Sequence, residues 1–453
     1  MTPLEYLATH HERSLQELIE FARIPSVSAD PAHQADLNAA AEWVAERLRE
    51  AGPLEVRLMP TGGNPVVYGE WLGAPGRPTL LVYGHYDVQP AAPLDQWTSD
   101  PFRPEVRAGR LYGRGVSDNK GPMLIPIKVA QAFFATHGAL PLNVKFLFEG
   151  EEEIGSRNLA PFIAANATLL RGDCVLSADG AMWRSDEPSI TVGCRGVVAL
   201  EFGIRGADRN LHSGRYGGSV PNALHALAEL IASLHTPDGR IAVAGFYNDV
   251  APLPEGERRE IASLPFDEAG FLAGIGVRAP VGEPGYSTLE RQWIRPTLEV
   301  NGMWGGYQGP GSQTVTPNEA HAKISCRLVP DQQPEAVRAL LIRHLERHLP
   351  AAVELVVSGE EHGALPYRVP ADHPGLGTAA RVLEEVYGVA PLRVRMGSTL
   401  PVSAVFKGTL AMDSVYFSFS TTDEAFHSPN EFFRVRRLHE GLHAWARFWE
   451  CYA

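Results

Sequence analysis

The chain predicts an α/β fold, a mostly parallel sheet with helices on both faces, interrupted by an inserted α+β domain. Three observations lead there. Apolar runs of strand length alternate with amphipathic helical stretches over residues 54–179. Near Thr191 this pattern changes, and residues 320–328 alternate small or apolar with polar side chains, as in an antiparallel sheet with one wet face. Past Pro370 the first pattern resumes, so the expected division is 1–190 and 371–453 in one domain, with 191–370 inserted.

Taken in order, Leu4, Leu7, Leu15, Leu18, Ile19 and Phe21 recur at helical spacing, and Pro25 closes that helix. A second helix fits 37–51, stopped by Gly52-Pro53, and strands follow at 54–59, 66–71 and 79–83. The apolar stretch 122–134 reads as a helix despite Pro126, and strands at 142–148 and 173–177 complete the first part. Within the insertion, strands fit 197–204, 320–328 and 353–357, helices fit 222–234 and 334–348, and 237–295 reads as loop. A helix over 373–387, a strand over 414–419 and a helix over 435–449 end the chain.

Composition bounds the function. With 453 residues, 44% hydrophobic and 21% charged, this is an ordinary globular composition. The formal charge of -13 argues against nucleic acid or an anionic membrane as partner. Cys174, Cys194, Cys326 and Cys451 are widely spaced, which excludes a disulfide framework or thiolate zinc site and fits a reducing compartment. Residues 1–21 are polar and amphipathic, without the pattern of a signal peptide or membrane span, so the cytoplasm is the expected location.

The chemistry gathers just past strand ends, where open α/β sheets bind ligands. Gly84-His85-Tyr86-Asp87-Val88 follows one apolar strand, and period two puts His85 and Asp87 on one side. Alone, such a pair reads as a polar turn. Four later stretches change that reading: the segment with Asp118-Asn119-Lys120-Gly121, Glu149-Gly150-Glu151-Glu152-Glu153, Asp179-Gly180, and His427-Ser428-Pro429-Asn430-Glu431. Asp118 by itself would be a helix cap and the glutamates an acidic first turn. Together these imidazoles and carboxylates, without thiolate, suit two Zn, Mn or Co ions sharing a bridge. Such a pair polarises a carbonyl and activates water, the chemistry of amide or ester hydrolysis.

In this order, and with Leu211-His212-Ser213-Gly214 added, the motifs resemble the M20 metallopeptidases, the aminoacylase and desuccinylase group, and within it the branch of cytosolic non-specific dipeptidases and carnosinases. The resemblance covers nearly the whole chain. It implies a di-zinc exopeptidase-like catalytic domain and an inserted lid and dimerisation domain. It also implies that His85 and Asp179 hold one metal, Glu153 and His427 the other, and that Asp118 bridges them before a cis peptide bond. Asp87 would support His85, Glu152 would be the general base, and His212 would stabilise the oxyanion in the partner subunit of a homodimer. Asn301, Thr314 and Arg327, with His373 and Thr399, would contact the substrate's carboxylate end. Two departures from the family's pattern are Asn210, where an Asp is usual, and Gly397-Ser398-Thr399-Leu400-Pro401, where many relatives have Gly-Gly-Ser-Ile-Pro. The activity implied is cleavage of dipeptides or short peptides with a free carboxylate, with zinc expected first. An N-acyl amino acid amidohydrolase or desuccinylase is the alternative, and a non-catalytic binding protein on the same scaffold is the reading from another class.

Overall fold

In the computed structural model, which describes residues 1–359 and 363–453, the apolar runs of the first part form β1 (Glu55–Met59), β2 (Val66–Trp71), β3 (Thr79–His85), β4 (Asn143–Glu149) and β5 (Cys174–Ser177). They lie in the order β1-β2-β4-β3-β5, with the strand Ser414–Tyr416 beyond β5. From β4 to Ser414–Tyr416 the neighbours are parallel, while β1 and β2 are antiparallel. Every residue of β4 and β5 is buried, and so is all of β3 except Thr79, which requires cover on both faces of the sheet.

The helix Gly121–His137 supplies much of that cover. It is apolar nearly all round, tolerates Pro126 in its interior, and packs against the helices Gln34–Ala51 and Val435–Tyr452. Phe133 and Phe146 both reach Trp449. Its one buried cation, Lys128, donates from Nζ to Glu17 Oε2 at 2.8 Å, so the charge enters the core already paired. The first predicted helix is in fact two, Pro3–Thr9 and His11–Ala22, because His10 leaves helical geometry between them.

The chain divides into two units. One comprises Met1–Val192, Val369–Val394 and Val405–Ala453; the other comprises Gly193–Arg368 and Arg395–Ala404. In the second, β6 (Gly196–Arg205), β7 (Thr297–Gly305), β8 (Glu319–Leu328) and β9 (Glu354–Ser358) form an antiparallel sheet ordered β7-β8-β6-β9. Alternation puts Val198, Leu200, Phe202, Ile324 and Cys326 on the inner side. There they meet Leu227 and Leu230 of the helix Ala223–Ser233 and Leu341 and Leu345 of the helix Pro334–His348. The register of β7 on β8 slips between Val300 and Gly302, leaving Asn301 in a bulge, a device that re-aims a side chain. No helix among the described residues is long and apolar enough to cross a membrane.

Candidate metal centre

A parallel sheet brings the carboxyl ends of its strands to one edge, and the motif residues collect there. His85 closes β3, and Glu152 and Glu153 form the turn just after β4. Asp179 stands two residues past β5, and Asp118 lies in the turn Val116–Lys120 that enters the helix Gly121–His137. His427, at a positive φ of 57°, comes from the loop after Ser414–Tyr416. The Asp118–Asn119 peptide bond is cis.

Asp118 joins two groups of donors. Its Oδ1 is 3.1 Å from His85 Nε2, and its Oδ2 is 3.0 Å from His427 Nε2. Asp179 Oδ1 lies 3.9 Å from His85 Nε2, and Glu153 Oε2 lies 3.2 Å from His427 Nε2. Within His85, Asp118 and Asp179, and again within Asp118, Glu153 and His427, the ligand atoms fall within 4.8 Å of one another.

A surrounding shell holds these atoms in place. His85 Nδ1 donates to the Asp87 carbonyl at 3.1 Å, which leaves Nε2 as the lone-pair nitrogen facing the cluster. The Asp87 carboxylate accepts the Glu152 N–H on Oδ1 at 3.2 Å and the Glu153 N–H on Oδ2 at 3.1 Å. Three further residues, within or directly beside the motifs but given no role by sequence reasoning, complete the shell. Gln89 Nε2 donates to Glu153 Oε2 at 2.9 Å. Asn119 accepts the His85 N–H and donates to the Ala178 carbonyl, tying the ends of β3 and β5. Glu431, fully buried, accepts from Arg114 Nη1 at 2.7 Å and from the N–H groups of Gly115, Ser117 and Asp118 at 2.9–3.1 Å. Their signal was adjacency to the ligands, but adjacency alone names no partner.

The electrostatics test whether cations fit. Asp87, Asp118, Glu152, Glu153 and Asp179 are five carboxylates in one small volume. Burial, with Asp118 and Glu153 adding repulsion and His85 offsetting it, pushes Asp179 up to about 6. Glu152 is likewise pushed well above the usual carboxylate range by burial, against the pull of His85 and with repulsion from Asp179, Asp118 and Glu153. Hydrogen bonds to Asp118 and Glu153 raise His427 to about 10. Glu153 Oε1 is buried with no hydrogen-bond partner among the described residues. Excess carboxylate, an orphaned buried oxygen and two donor groups sharing one aspartate fit a pair of divalent cations.

The second unit carries the other predicted contacts. His212 pairs with Val315 across two short strands, and the Thr314 carbonyl accepts the Ser213 N–H, so His212 and Thr314 are neighbours. His212 is exposed, and its Nδ1 accepts the Gly214 N–H at 3.0 Å, which puts its proton on Nε2. Arg327 Nη1 donates to Thr399 Oγ1 at 2.8 Å. His373, in the first unit, instead caps the helix Pro374–Tyr387 by accepting the Gly375 N–H. There it stands by Cys174, at the amino end of β5, while Asp179 lies past the carboxyl end.

A mostly parallel α/β sheet with imidazoles and carboxylates gathered at its carboxyl edge defines a metal-dependent hydrolase. The chain belongs to peptidase family M20/M25/M40, which residues 81–450 match. It is 30% identical over 448 residues to the Beta-Ala-His dipeptidase of Rattus norvegicus, covering 94% of this chain and 90% of that one. To the Cys-Gly metallodipeptidase of Schizosaccharomyces pombe it is 30% identical over 423 residues, covering 90% and 89%. The solved M20 family metallo-carboxypeptidase of Sulfolobus solfataricus superposes with a TM-score of 0.84 at 31% identity, covering 97% and 99%. The family and the α/β architecture expected from the sequence are both met.

Proposed function

We propose that this metallopeptidase hydrolyses the peptide bond of dipeptides and short peptides that end in a free carboxylate. The observation that carries the reading is Asp118 shared between two donor groups, with Glu152 beside both. His85 and Asp179 would hold one divalent cation and Glu153 and His427 the other, with Asp118 available to both; zinc would suit this nitrogen and oxygen set, with manganese or cobalt as substitutes. Such a pair, when bound, supplies Lewis acidity toward the scissile carbonyl and toward water.

The protein's own groups do the rest. Glu152, whose backbone is fixed by Asp87, takes a proton from the attacking water as its oxygen bonds to the carbonyl carbon. The same proton goes to the amine nitrogen as the C–N bond breaks. An exposed Nε2–H on His212 is the right donor for the developing oxyanion, acting across a homodimer in which the second unit serves as lid and dimerisation domain. The fork of Arg327, with Thr399, Thr314 and Asn301, receives the substrate carboxylate. Four free cysteines fit the cytoplasm as its place of work. Beta-alanyl-histidine and cysteinyl-glycine, which the relatives' names print, are the first substrates to try.

The test compares either dipeptide, a tripeptide and an N-acetyl amino acid after loading with Zn²⁺ or Mn²⁺. Preference for the dipeptide, abolished by Glu152→Gln, supports the reading. Preference for the acetylated compound moves the activity to the amidohydrolases.

A further inference from the structure

Arg195, in the second unit, is 9% exposed and takes no part in the chemistry above. Its guanidinium is spent on carbonyl oxygens: Nε donates to Gly397 at 2.9 Å, and Nη1 to Arg295 at 3.2 Å and Arg291 at 3.3 Å. Arg291 belongs to the last turn of the helix Thr288–Trp293, whose final carbonyls have no partner within the helix. Burial, with Arg327 adding to it and Glu299 opposing, draws the Arg195 pKa down to about 10, so the side chain stays charged at neutral pH.

The same residue grips the segment that carries Thr399. Its backbone N–H donates to the Met396 carbonyl at 3.2 Å, so main chain and side chain together hold two consecutive carbonyls, those of Met396 and Gly397. Gly397 is seated closely. A Cβ there would lie 2.9 Å from the Gln292 carbonyl oxygen and 3.3 Å from Arg195 Nη2, a position that only glycine occupies without a shift. Two residues on, Thr399 Oγ1 accepts from Arg327 Nη1 at 2.8 Å. Arg327 in turn pairs with Val197 across β8 and β6, two residues from Arg195, so both partners of that hydrogen bond are tied to one anchor. With Nη1 engaged, Nε and Nη2 of Arg327 have no partner among the described residues and remain as a fork for a ligand.

An arginine on a wet strand face is otherwise ordered only when its ligand binds, and affinity is lost to that ordering. We propose that Arg195 is a positioning residue for substrate recognition. It seats the segment 396–399 so that Thr399 holds Arg327 ready for the substrate's free carboxylate. The inference rests on the carboxylate role proposed for Arg327 and goes further by naming what sets that side chain in place.

The test titrates beta-alanyl-histidine and its C-terminal amide by calorimetry into full-length, Mn²⁺-loaded Glu152→Gln, so that binding is read without turnover. The dipeptide should bind more tightly than the amide. Added singly, Arg195→Met and Gly397→Ala should each weaken the dipeptide about three- to tenfold and the amide less than about twofold. Gly397→Ala removes neither charge nor hydrogen-bonding group, so agreement between the two assigns the effect to the seating of the segment; it also carries the test should Arg195→Met fail to melt cooperatively. Arg195→Lys, which keeps a donor near these carbonyls, should recover part of the loss. With Glu152 restored, KM should rise by the same factor while kcat changes less than about threefold. Unchanged dipeptide affinity in Gly397→Ala, or equal losses for dipeptide and amide, overturns the inference, and the role of Arg327 still stands if Arg327→Met abolishes the preference for the carboxylate. If Arg327→Met keeps that preference, or the parent shows none, the role of Arg327 fails and the inference falls with it.

Discussion

Replacing Glu431 with glutamine should loosen the metal centre from behind. Each oxygen of this carboxylate accepts two donors: Oε2 takes Arg114 Nη1 and the Gly115 N–H, and Oε1 takes the N–H groups of Ser117 and Asp118. Glutamine keeps the shape but turns one oxygen into a donor, so two of the four partners would face another N–H. At roughly 1.5–3 kcal/mol for each bond to a charged group, losing two costs about 3–6 kcal/mol. Breaking one side of a buried ion pair gives a similar figure, about 3–5 kcal/mol. At about 2 °C per kcal/mol for a unit somewhat larger than 250 residues, the melting temperature should fall by roughly 6–12 °C. Because Glu431 holds the backbone of Asp118 and lies four residues from His427, cation affinity should fall about 10–100-fold. Scanning calorimetry and Mn²⁺ titration against a competing chelator measure both effects. A variant that melts within 2 °C of wild type and binds Mn²⁺ as tightly would refute the reasoning, since two buried hydrogen bonds to a charged group would then contribute almost nothing.

Other perturbations separate the roles of neighbouring groups. Glu152→Gln should lower kcat by about 10²–10⁴-fold, as loss of a general base does, while Mn²⁺ stoichiometry measured by calorimetry stays unchanged. Asp118→Ala, by contrast, should remove measurable Mn²⁺ binding at both positions, because both donor groups include it. Arg327→Met should raise KM for a dipeptide about tenfold or more with a smaller change in kcat, and should barely affect the C-terminal amide of the same dipeptide. His373 offers a pH test: burial and Lys407 hold its pKa below 6.5 against Asp413 and Asp372, and its cap requires the neutral ring. The unfolded chain therefore takes up the proton first as pH falls through 6.5, and the stabilisation present above that pH is lost below it. His373→Asn, which caps without titrating, should keep the stabilisation that wild type loses between about pH 7 and pH 5 in urea melts, with kcat/KM unchanged.

What the sequence made legible was whatever announces itself locally. Buried parallel strands read as continuous apolar runs, so the ends carrying His85 and Glu149 were found within two residues. Period two exposed β8 in the same local way, and β6 read as a strand beside it. The strand β7 was missed because the bulge at Asn301 breaks its alternation. Short helices at Glu255–Ala262, Glu268–Gly274 and Thr288–Trp293 were hidden among Pro and Gly residues. At the metal centre the ligands could be named, yet the functions of Gln89, Asn119 and Glu431 depend on partners up to 317 positions distant, and no local pattern encodes those. His373 shows the converse: a histidine before Pro-Gly satisfies a helix end, and that local need accounts for it here.

The order of the strands has a consequence for synthesis. His85, Asp118 and Asp179 lie within the first 192 residues, among strands that already neighbour one another, with Ser414–Tyr416 added only at the edge. A growing chain can thus assemble the first donor group long before His427 leaves the ribosome. The second donor group must wait for that loop, and so must the full set of clamps on Asp118, since Glu431 follows His427 by four residues. If hydrolysis needs both donor groups, as proposed above, competence waits until the loop carrying His427 has been made, which keeps a partly made peptidase from acting on the peptides around it.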